Sequence, residues 1–133
     1  MILVDSSVWI DFFRGTSNPA TQRLSDLLQD NLESLAVADL VLFEVLRGFQ
    51  AGAAQRSAQI LLTALPCVTL GGADNALRAA AHYRELRAQG TTIRSPIDVL
   101  LASYCIAHGH PLLHRDADFD ALESLRGLQV WRH

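Results

Sequence analysis

Lysine is absent from this sequence, and all eleven of its basic residues are arginine. A P-loop needs a lysine for the nucleotide phosphates, and Schiff-base chemistry needs a lysine amine, so both classes are excluded. Cysteine is scarce as well. Cys67 and Cys105 are too few for a disulfide framework, and because each lies among apolar neighbours we expect two reduced, buried thiols.

Long hydrophobic runs are also absent, since no apolar segment reaches the roughly 18 residues that a membrane-spanning helix needs. The N-terminal MILVDSSVW has no positively charged start and carries an acid at its fifth position, which argues against a signal peptide. We therefore expect a cytoplasmic protein that has no membrane partner. The net charge of −3 argues against a general basic surface for nucleic acid.

Half of the residues are hydrophobic, and short apolar segments alternate along the chain with longer segments of helical periodicity. This composition predicts one globular domain over residues 1–133. The alternation predicts an α/β fold with a mostly parallel sheet. The predicted strands cover residues 1–4, 35–38, 66–70, 111–113 and 128–131. The predicted helices cover about 7–14, 19–30, 40–50, 53–64, 73–89, 96–108 and 119–125.

Two acids directly follow predicted strands. Asp5 comes after the first strand, and Asp116 comes after the fourth. Ligands of parallel sheets collect at the carboxyl ends of the strands, which makes both acids candidates for a binding site. The structural alternative for Asp5 is a helix cap, because Asp-Ser-Ser is good capping chemistry.

Three aspartates alternate in the segment LLHRDADFDAL, where they are either solvated or neutralised by a metal. An EF-hand calcium loop is excluded, because its sixth position should be glycine and is Ala121, and its twelfth should be glutamate and is Gly127. We expect one aspartate to cap the following helix and Asp116 to have no structural role. Asp118 is then a second ligand or the cap, and Asp120 faces solvent.

Two further acids have ordinary structural explanations that do not exclude a function. Glu44 lies within VLFEVL, where it either faces solvent and pairs with Arg47, or is half-buried and needs a partner or a metal. Asp98 is the third residue after Ser95, in the pattern of a capping box. A carboxylate in a first helical turn is also held rigidly and kept ionised by the helix dipole, which suits a metal ligand.

The four carboxylates are more informative together than singly, because an α/β domain can bring them to one end of the sheet. Close carboxylates raise one another's pKa values, and a divalent cation relieves that repulsion. Oxygen ligands favour Mg²⁺ or Mn²⁺. Such cations attract phosphate, generate hydroxide and stabilise a leaving oxygen, which predicts metal-assisted hydrolysis of phosphodiesters.

Four segments, MILVDSSVWIDFF, LFEVLRG, TIRSPIDVLLAS and LLHRDADFDAL, carry these acids in order along nearly the whole chain. In this they resemble the PIN-domain family, and most closely its VapC-type toxins. The resemblance implies a three-layer fold with a sheet of about four to five strands flanked by helices. It also implies a Mg²⁺- or Mn²⁺-dependent endoribonuclease that cleaves tRNA or another translation-related RNA. The implied partners are a second copy of the chain, giving a homodimer, and a VapB-type antitoxin that inhibits the toxin in a hetero-oligomer.

The resemblance also implies roles for individual residues. A hydroxyl that supports the site is expected at Ser6 or Ser7, and Asp118 is a ligand in some relatives and not in others. The catalytic residues and metal ligands implied by the motifs are Asp5, Glu44, Asp98 and Asp116.

Arginines near the acidic motifs are candidate contacts to RNA phosphates, with ordinary surface arginines or local ion pairs as the alternative. Residues 78–94 hold four arginines and one glutamate, a second candidate for the RNA backbone, although a solvated helix face explains it equally well. Trp9 and Phe13 are spaced to stack and should line the core or a groove that, in the family, holds the antitoxin tail. The four arginines that flank the acidic motifs are Arg14, Arg47, Arg94 and Arg115.

Two other functions are compatible with parts of this pattern. An acid-based metal phosphatase would place an Asp-x-Asp after the first strand, where this chain has Asp5 followed by two serines. A non-catalytic binding module would use the acidic pocket only to capture an arginine of a partner. A zinc site at His108, His110 and His114 is disfavoured, because the three histidines fall across a predicted helix end, a turn and a strand end.

Overall fold

A four-stranded parallel sheet forms the centre of the computed structural model, which describes residues 1–133. The strand order is β3-β2-β1-β4, and every pairing is parallel. The predicted α/β class and parallel sheet are therefore confirmed, with four strands. The strands are β1 (Ile2–Val4), β2 (Leu35–Ala38), β3 (Cys67–Val68) and β4 (Leu112–Leu113).

Seven α-helices connect and flank the strands, and a short 3₁₀ turn at Leu32–Ser34 leads into β2. The predicted helices are all present, with ends shifted by at most a few residues. Gly109, with φ of 67°, ends α6 in the left-handed conformation that glycine adopts without strain. The helices are α1 (Ser6–Arg14), α2 (Pro19–Asp30), α3 (Asp39–Leu46), α4 (Ala53–Thr63), α5 (Ala73–Ala88), α6 (Pro96–His108) and α7 (Asp118–Arg126).

The helices form two groups. Contacts link α1 to α2 and α3, and α3 to α4, whereas α5, α6 and α7 contact one another. The chain runs from β1 outward to β2 and β3, and then crosses back past β1 to β4. Because crossovers between parallel strands are right-handed, this reversal sends the second group of helices to the opposite face of the sheet. The result is the expected three-layer arrangement.

One hydrophobic core of 29 buried residues joins the sheet to both groups of helices. Trp9 is fully buried and stacks on Phe13, with ring centroids 5.9 Å apart and planes inclined by 17°. Burial of side chains of this size contributes about 2–3 kcal/mol each, which fixes α1 against the sheet. The predicted stacking of Trp9 on Phe13 is confirmed, and the Phe13 ring is partly exposed.

Two of the predictions above were wrong. Residues 128–131 form no strand, since only Val130 makes an isolated bridge to Leu112. Cys67 is exposed rather than buried, because β3 lies at the edge of the sheet. Asp39 lies in the first turn of α3, and its Oδ1 accepts the Leu70 backbone N–H at 2.9 Å. No helix is both long and apolar enough to cross a membrane.

Candidate metal centre

The site lies where the strand order reverses, between β1 and β4. Leu3 is paired with Leu112 and Val4 with Leu113, so the two strands end side by side. The Asp5 backbone N–H then donates to the Leu113 carbonyl at 2.9 Å. The helices that follow these strands lie on opposite faces, which opens a crevice at the carboxyl ends, the usual ligand position in such sheets.

Asp5 is almost completely buried at the start of α1, with 3% of its surface exposed. Its Oδ2 accepts hydrogen bonds from the Ser7 hydroxyl at 2.5 Å and from the Ser7 backbone N–H at 3.3 Å. The helix-cap interpretation is therefore correct, and it coexists with a place in the acidic site. Burial raises the pKa of Asp5, the bonds from Ser7 oppose this, and the Asp116 charge adds to the increase.

Three carboxylates meet directly. One oxygen each from Asp98, Asp116 and Asp118 lies within 4.8 Å of the other two. Oxygens bound to one Mg²⁺ are at most about 4.2 Å apart, twice the metal–oxygen distance, so this spacing is close to what one cation requires. We call Asp98, Asp116 and Asp118 the acidic triad.

The pKa of Asp98 is strongly raised by its surroundings. Burial first, and then the charges of Asp5, Asp116, Glu44 and Asp118, raise the pKa of Asp98 from 3.8 to about 7. The charges of the other four predicted acids thus act on the Asp98 carboxylate, which means that the fold has gathered all five at one end of the sheet.

The capping box predicted at the start of α6 is not formed. Ser95 occupies the N-cap position and Pro96 opens the helix, but the Ser95 side chain makes no capping hydrogen bond. Asp98 is held by its backbone N–H, which donates to the Ser95 carbonyl at 3.1 Å, and its carboxylate is left to the acidic triad. The structural explanation offered for the Asp98 side chain was therefore wrong.

Asp116 does have a structural role, contrary to expectation. Its Oδ1 accepts the backbone N–H of Asp118 at 2.9 Å, which shapes the turn into α7. Neither Asp118 nor Asp120 caps the helix, since the N-cap residue Ala117 has no capping side chain. Asp118 Oδ2 lies 3.4 Å from Arg94 Nε, and Asp120 is exposed as predicted.

Glu44 is half-buried on α3, as one of the two alternatives predicted. Burial and the Asp5 charge raise its pKa, and the nearby Ser6 hydroxyl and Arg47 act in the opposite direction. Its Oε1 is buried without a hydrogen-bond partner. The expected ion pair with Arg47 is not formed, because the Arg47 guanidinium lies over the Phe43 ring, 5.5 Å from its centroid.

The donor set fits a hard divalent cation. Five carboxylates supply only oxygen ligands, the group with metal-ligand spacing contains aspartates alone, and a buried oxygen of Glu44 lacks a partner. Oxygen-only ligation favours Mg²⁺ or Mn²⁺ over zinc or copper. Burial first, and then the neighbouring carboxylate charges, raise the pKa values of Asp5, Glu44 and Asp98, and a bound cation would offset both effects.

Two of the four arginines that flank the acidic motifs form ion pairs, and two do not. Arg115 Nε lies 2.5 Å from Asp11 Oδ2, and Arg94 contacts Asp118. Arg14 and Arg47 are exposed and make no ion pair. Ion pairing thus occupies Arg94 and Arg115, the alternative that the sequence left open.

Two residues near the site were missed from the sequence. Asp11 is 8% exposed and accepts from Arg115 and from Asn18 Nδ2, at 3.1 Å. Its signal was available, because it is the only acid inside the apolar segment VWIDFF. His114 is buried immediately after β4, whereas the sequence suggested it only as part of a disfavoured zinc site.

Comparison with known proteins agrees with this geometry. The PIN domain family model matches residues 2–125. VapC ribonuclease Mb1587 of Mycobacterium bovis and ribonuclease VapC11 of Mycobacterium tuberculosis are each 34% identical over 130 residues, covering 98% of this chain and 97% of the relative.

Solved structures show the same fold. The Rickettsia felis VapBC2 complex bound to a promoter DNA fragment aligns with a TM-score of 0.74 at 20% identity, over 98% of both chains. A toxin–antitoxin complex from Klebsiella pneumoniae aligns with a TM-score of 0.70 at 16% identity, over 100% of both chains. The fold, the family match and the identity to VapC proteins agree: this chain belongs to the PIN-domain family, as a relative of the VapC ribonucleases.

Proposed function

We propose that this chain is a divalent-metal-dependent endoribonuclease and the toxin of a toxin–antitoxin pair. The observation that carries the proposal is the gathering of five carboxylates at the β1–β4 crevice, where three approach within 4.8 Å. The curated relatives are called VapC ribonucleases, which supports RNA as the substrate. A translation-related RNA such as a tRNA is the substrate we expect.

The acidic triad would hold the cation, with Asp5 and Glu44 beside it. A bound Mg²⁺ or Mn²⁺ would attract the phosphodiester, lower the pKa of a water and stabilise the negative charge of the leaving oxygen. Asp5 is fixed by Ser7, so its carboxylate enters the site in one orientation. Asp98 and Asp118 project from first helical turns, which restricts both carboxylates in the same way.

Glu44 is suited to handle the attacking water. Its carboxylate is only half-buried, lies close enough to Asp5 and Asp98 for their charges to interact, and has an oxygen without a protein partner, so it can accept a hydrogen bond from a water near the acidic triad. Its raised pKa makes the carboxylate a better proton acceptor than an ordinary glutamate. In hydrolysis the water oxygen attacks phosphorus, the phosphorus–oxygen bond to the leaving nucleotide breaks, and the leaving oxygen takes up a proton.

The arginines around the crevice would receive the RNA backbone. Arg14 and Arg47 are exposed and free of ion pairs, so their guanidinium groups can meet phosphates. The Arg94 side chain is 82% exposed, and its 3.4 Å contact to Asp118 is a weak one that a phosphate can replace. Arg115 is held by Asp11 and contributes less.

A VapB-type antitoxin is the expected partner. A groove of about 250 Å³ lies between α1 and the end of α3, and the partly exposed Phe13 meets Phe49 edge-on in it, with ring centroids 5.9 Å apart. An apolar antitoxin segment would cover these rings. The structural neighbours are toxin–antitoxin complexes, which supports such a hetero-oligomer, and we expect the toxin to be a homodimer within it.

Asp5→Asn tests the proposed activity. Asparagine keeps the shape of the side chain and removes its charge, so the fold should remain and RNA cleavage should fall by more than about 100-fold, given that even outer partners of metal ligands are worth about 10–100-fold. The measurements are cleavage of total tRNA with Mg²⁺ and growth inhibition in cells.

Asp26→Asn is the matched control, since Asp26 is exposed on α2 far along the chain from the acidic motifs. It should cleave RNA and inhibit growth like the wild type. Undiminished cleavage in Asp5→Asn would contradict the nuclease proposal. Growth inhibition that persists without any cleavage would favour the non-catalytic binding module.

A further inference from the structure

His114 holds the backbone from which Asp116 projects. It follows β4, is 7% exposed, and packs its ring on Phe119 with ring centroids 4.8 Å apart. Its Nδ1 accepts the backbone N–H of Asp116 at 3.2 Å. The imidazole therefore fixes the chain at the point where a member of the acidic triad leaves it.

Two turns of the same kind follow each other here. The His114 side chain accepts an N–H two residues ahead, and Asp116 Oδ1 then accepts the Asp118 N–H at 2.9 Å. This is the geometry of an Asx turn, in which a side chain replaces a backbone acceptor. Because the turns share Asp116, the directions of two triad carboxylates depend on the acceptor at position 114.

The environment of Nε2, the other ring nitrogen of His114, indicates that this residue is not there to stabilise the fold. Since Nδ1 accepts, the neutral ring carries its proton on Nε2. That nitrogen is buried and has no hydrogen-bond partner, which costs free energy. A leucine would fill a similar volume without this cost, so the useful part of the imidazole is the Nδ1 acceptor.

We propose that His114 is a positioning residue of the metal centre: its Nδ1 sets the turn that aims Asp116, and through it Asp118, at the cation. The inference rests on the metal site proposed above. His114 contacts neither RNA nor metal in this role, because Nε2 is enclosed by protein and Nδ1 is occupied by the Asp116 N–H.

Two substitutions separate the acceptor from the bulk of the ring. His114→Leu keeps an apolar side chain against Phe119 and removes the acceptor, whereas His114→Asn keeps an acceptor in Asx-turn position and loses the ring. Isothermal titration of the full chain with Mn²⁺ should show binding about 10–100-fold weaker in His114→Leu, the usual effect of losing a group that orients a metal ligand. His114→Asn should bind close to the wild-type value.

Thermal melting without metal should rank the variants in the opposite order. His114→Leu removes the unpaired Nε2 donor but leaves the Asp116 N–H without its acceptor, so the two effects offset and the variant should melt close to the wild-type temperature. His114→Asn loses the packing on Phe119 and should melt lower. If His114 were merely structural, the variant with the lower melting temperature would also bind Mn²⁺ more weakly. If His114 is a positioning residue, the variant without an acceptor at position 114 binds Mn²⁺ more weakly, whatever its melting temperature.

Wild-type Mn²⁺ affinity in His114→Leu would overturn the inference, and so would a folded His114→Asn that binds as weakly as His114→Leu. If His114→Asn does not fold, His114→Thr supplies a hydroxyl acceptor for the same turn and is judged by the same criterion. Asp116→Asn is titrated in parallel. Full Mn²⁺ binding in Asp116→Asn would refute the metal site itself. Loss of binding in Asp116→Asn together with full binding in His114→Leu would refute only the role of His114.

Discussion

Asp98 shows how much a carboxylate's neighbours can change its chemistry. Its pKa lies near 7 because it is buried and because four other acids repel its charge. Asp74 also occupies a first helical turn, that of α5, but it is exposed at the surface. The difference between the two lies in the tertiary structure, since both stand near a helix N-terminus.

Asp98→Asn should therefore stabilise the metal-free protein as the pH rises. The folded protein holds a proton on Asp98 up to about pH 7, whereas the unfolded chain loses it near 3.8, so unfolding becomes easier across this range. Asparagine stays neutral and avoids this loss. At pH 8 we expect a gain of at least about 1 kcal/mol, or roughly 3–5 °C in Tm for a chain of this size.

Calorimetry between pH 4 and pH 8 in a chelating buffer makes the measurement. The two proteins should melt alike near pH 4 and diverge toward pH 8. Asp30→Asn, an exposed substitution at the end of α2, serves as the control and should follow the wild type throughout. A destabilised Asp98→Asn at pH 8 would mean that the charge of Asp98 is compensated within the protein.

The acids of the site could be selected from the sequence because each carried a local signal: a strand end for Asp5 and Asp116, an apolar helix for Glu44, and a first turn for Asp98. The side chains that contact these acids could not be predicted from the sequence. Arg47 was expected beside Glu44 at helical spacing, but the exposed Phe43 ring offers its guanidinium a closer surface. Which neighbour a side chain contacts depends on the exposure of each group, and the spacing of residues in the sequence does not specify that exposure.

At the scale of elements, two helix starts that look alike in sequence differ in structure. Asn18-Pro19 and Ser95-Pro96 both place a capping residue before a proline. Asn18 forms a full capping box with Thr21, and its amide also donates to Asp11. Ser95 makes no capping hydrogen bond. The Asp98 carboxylate, which suggested the box, belongs to the acidic triad instead.

The two caps should respond differently to alanine. Asn18→Ala should lower the free energy of unfolding by about 1–2 kcal/mol, since it removes the cap and the bond to buried Asp11. Ser95→Ala should cost less than about 0.5 kcal/mol, as for a surface substitution without a specific contact. Urea denaturation measures both. Equal losses would show that Ser95 caps α6 in solution.

Element boundaries were predictable where the chain carries stop signals. Gly15 and Gly109 end α1 and α6 in left-handed conformations, as the sequence indicates. The apolar segment 128–131 looked like a strand, yet it meets only Leu112 through one bridge. A short apolar run has the same composition whether it pairs along a sheet or only packs beside it, and only the tertiary structure decides.

For the whole molecule, the decisive feature is the reversal of strand order at β1. It places β4 beside β1, although 107 residues separate Asp5 from the first residue of β4. Only this adjacency brings Asp5 next to Asp116. The alternation of strands and helices predicted a parallel sheet, but the order of its strands is set by packing across the entire chain and has no local signal.

Because the site joins distant parts of the chain, metal binding should stabilise the whole fold. Mn²⁺ at about 100 times its dissociation constant adds about 2.7 kcal/mol, which is roughly 10 °C in Tm for this chain length. Asp116→Asn should lose this shift. Asp120→Asn, an exposed substitution in the same RDADFD segment, should keep it. Differential scanning fluorimetry measures the shift in both variants. Equal shifts in the two would place the cation elsewhere.

The unequal burial of the two cysteines has a practical use. Cys67 lies exposed on edge strand β3, whereas Cys105 is enclosed by the core and burial raises its pKa to about 12. A maleimide dye should therefore modify one position of the unaltered chain. That position is separated from the β1–β4 crevice by β2, which makes the native thiol a fluorescent reporter of RNA or antitoxin capture that needs no engineered cysteine.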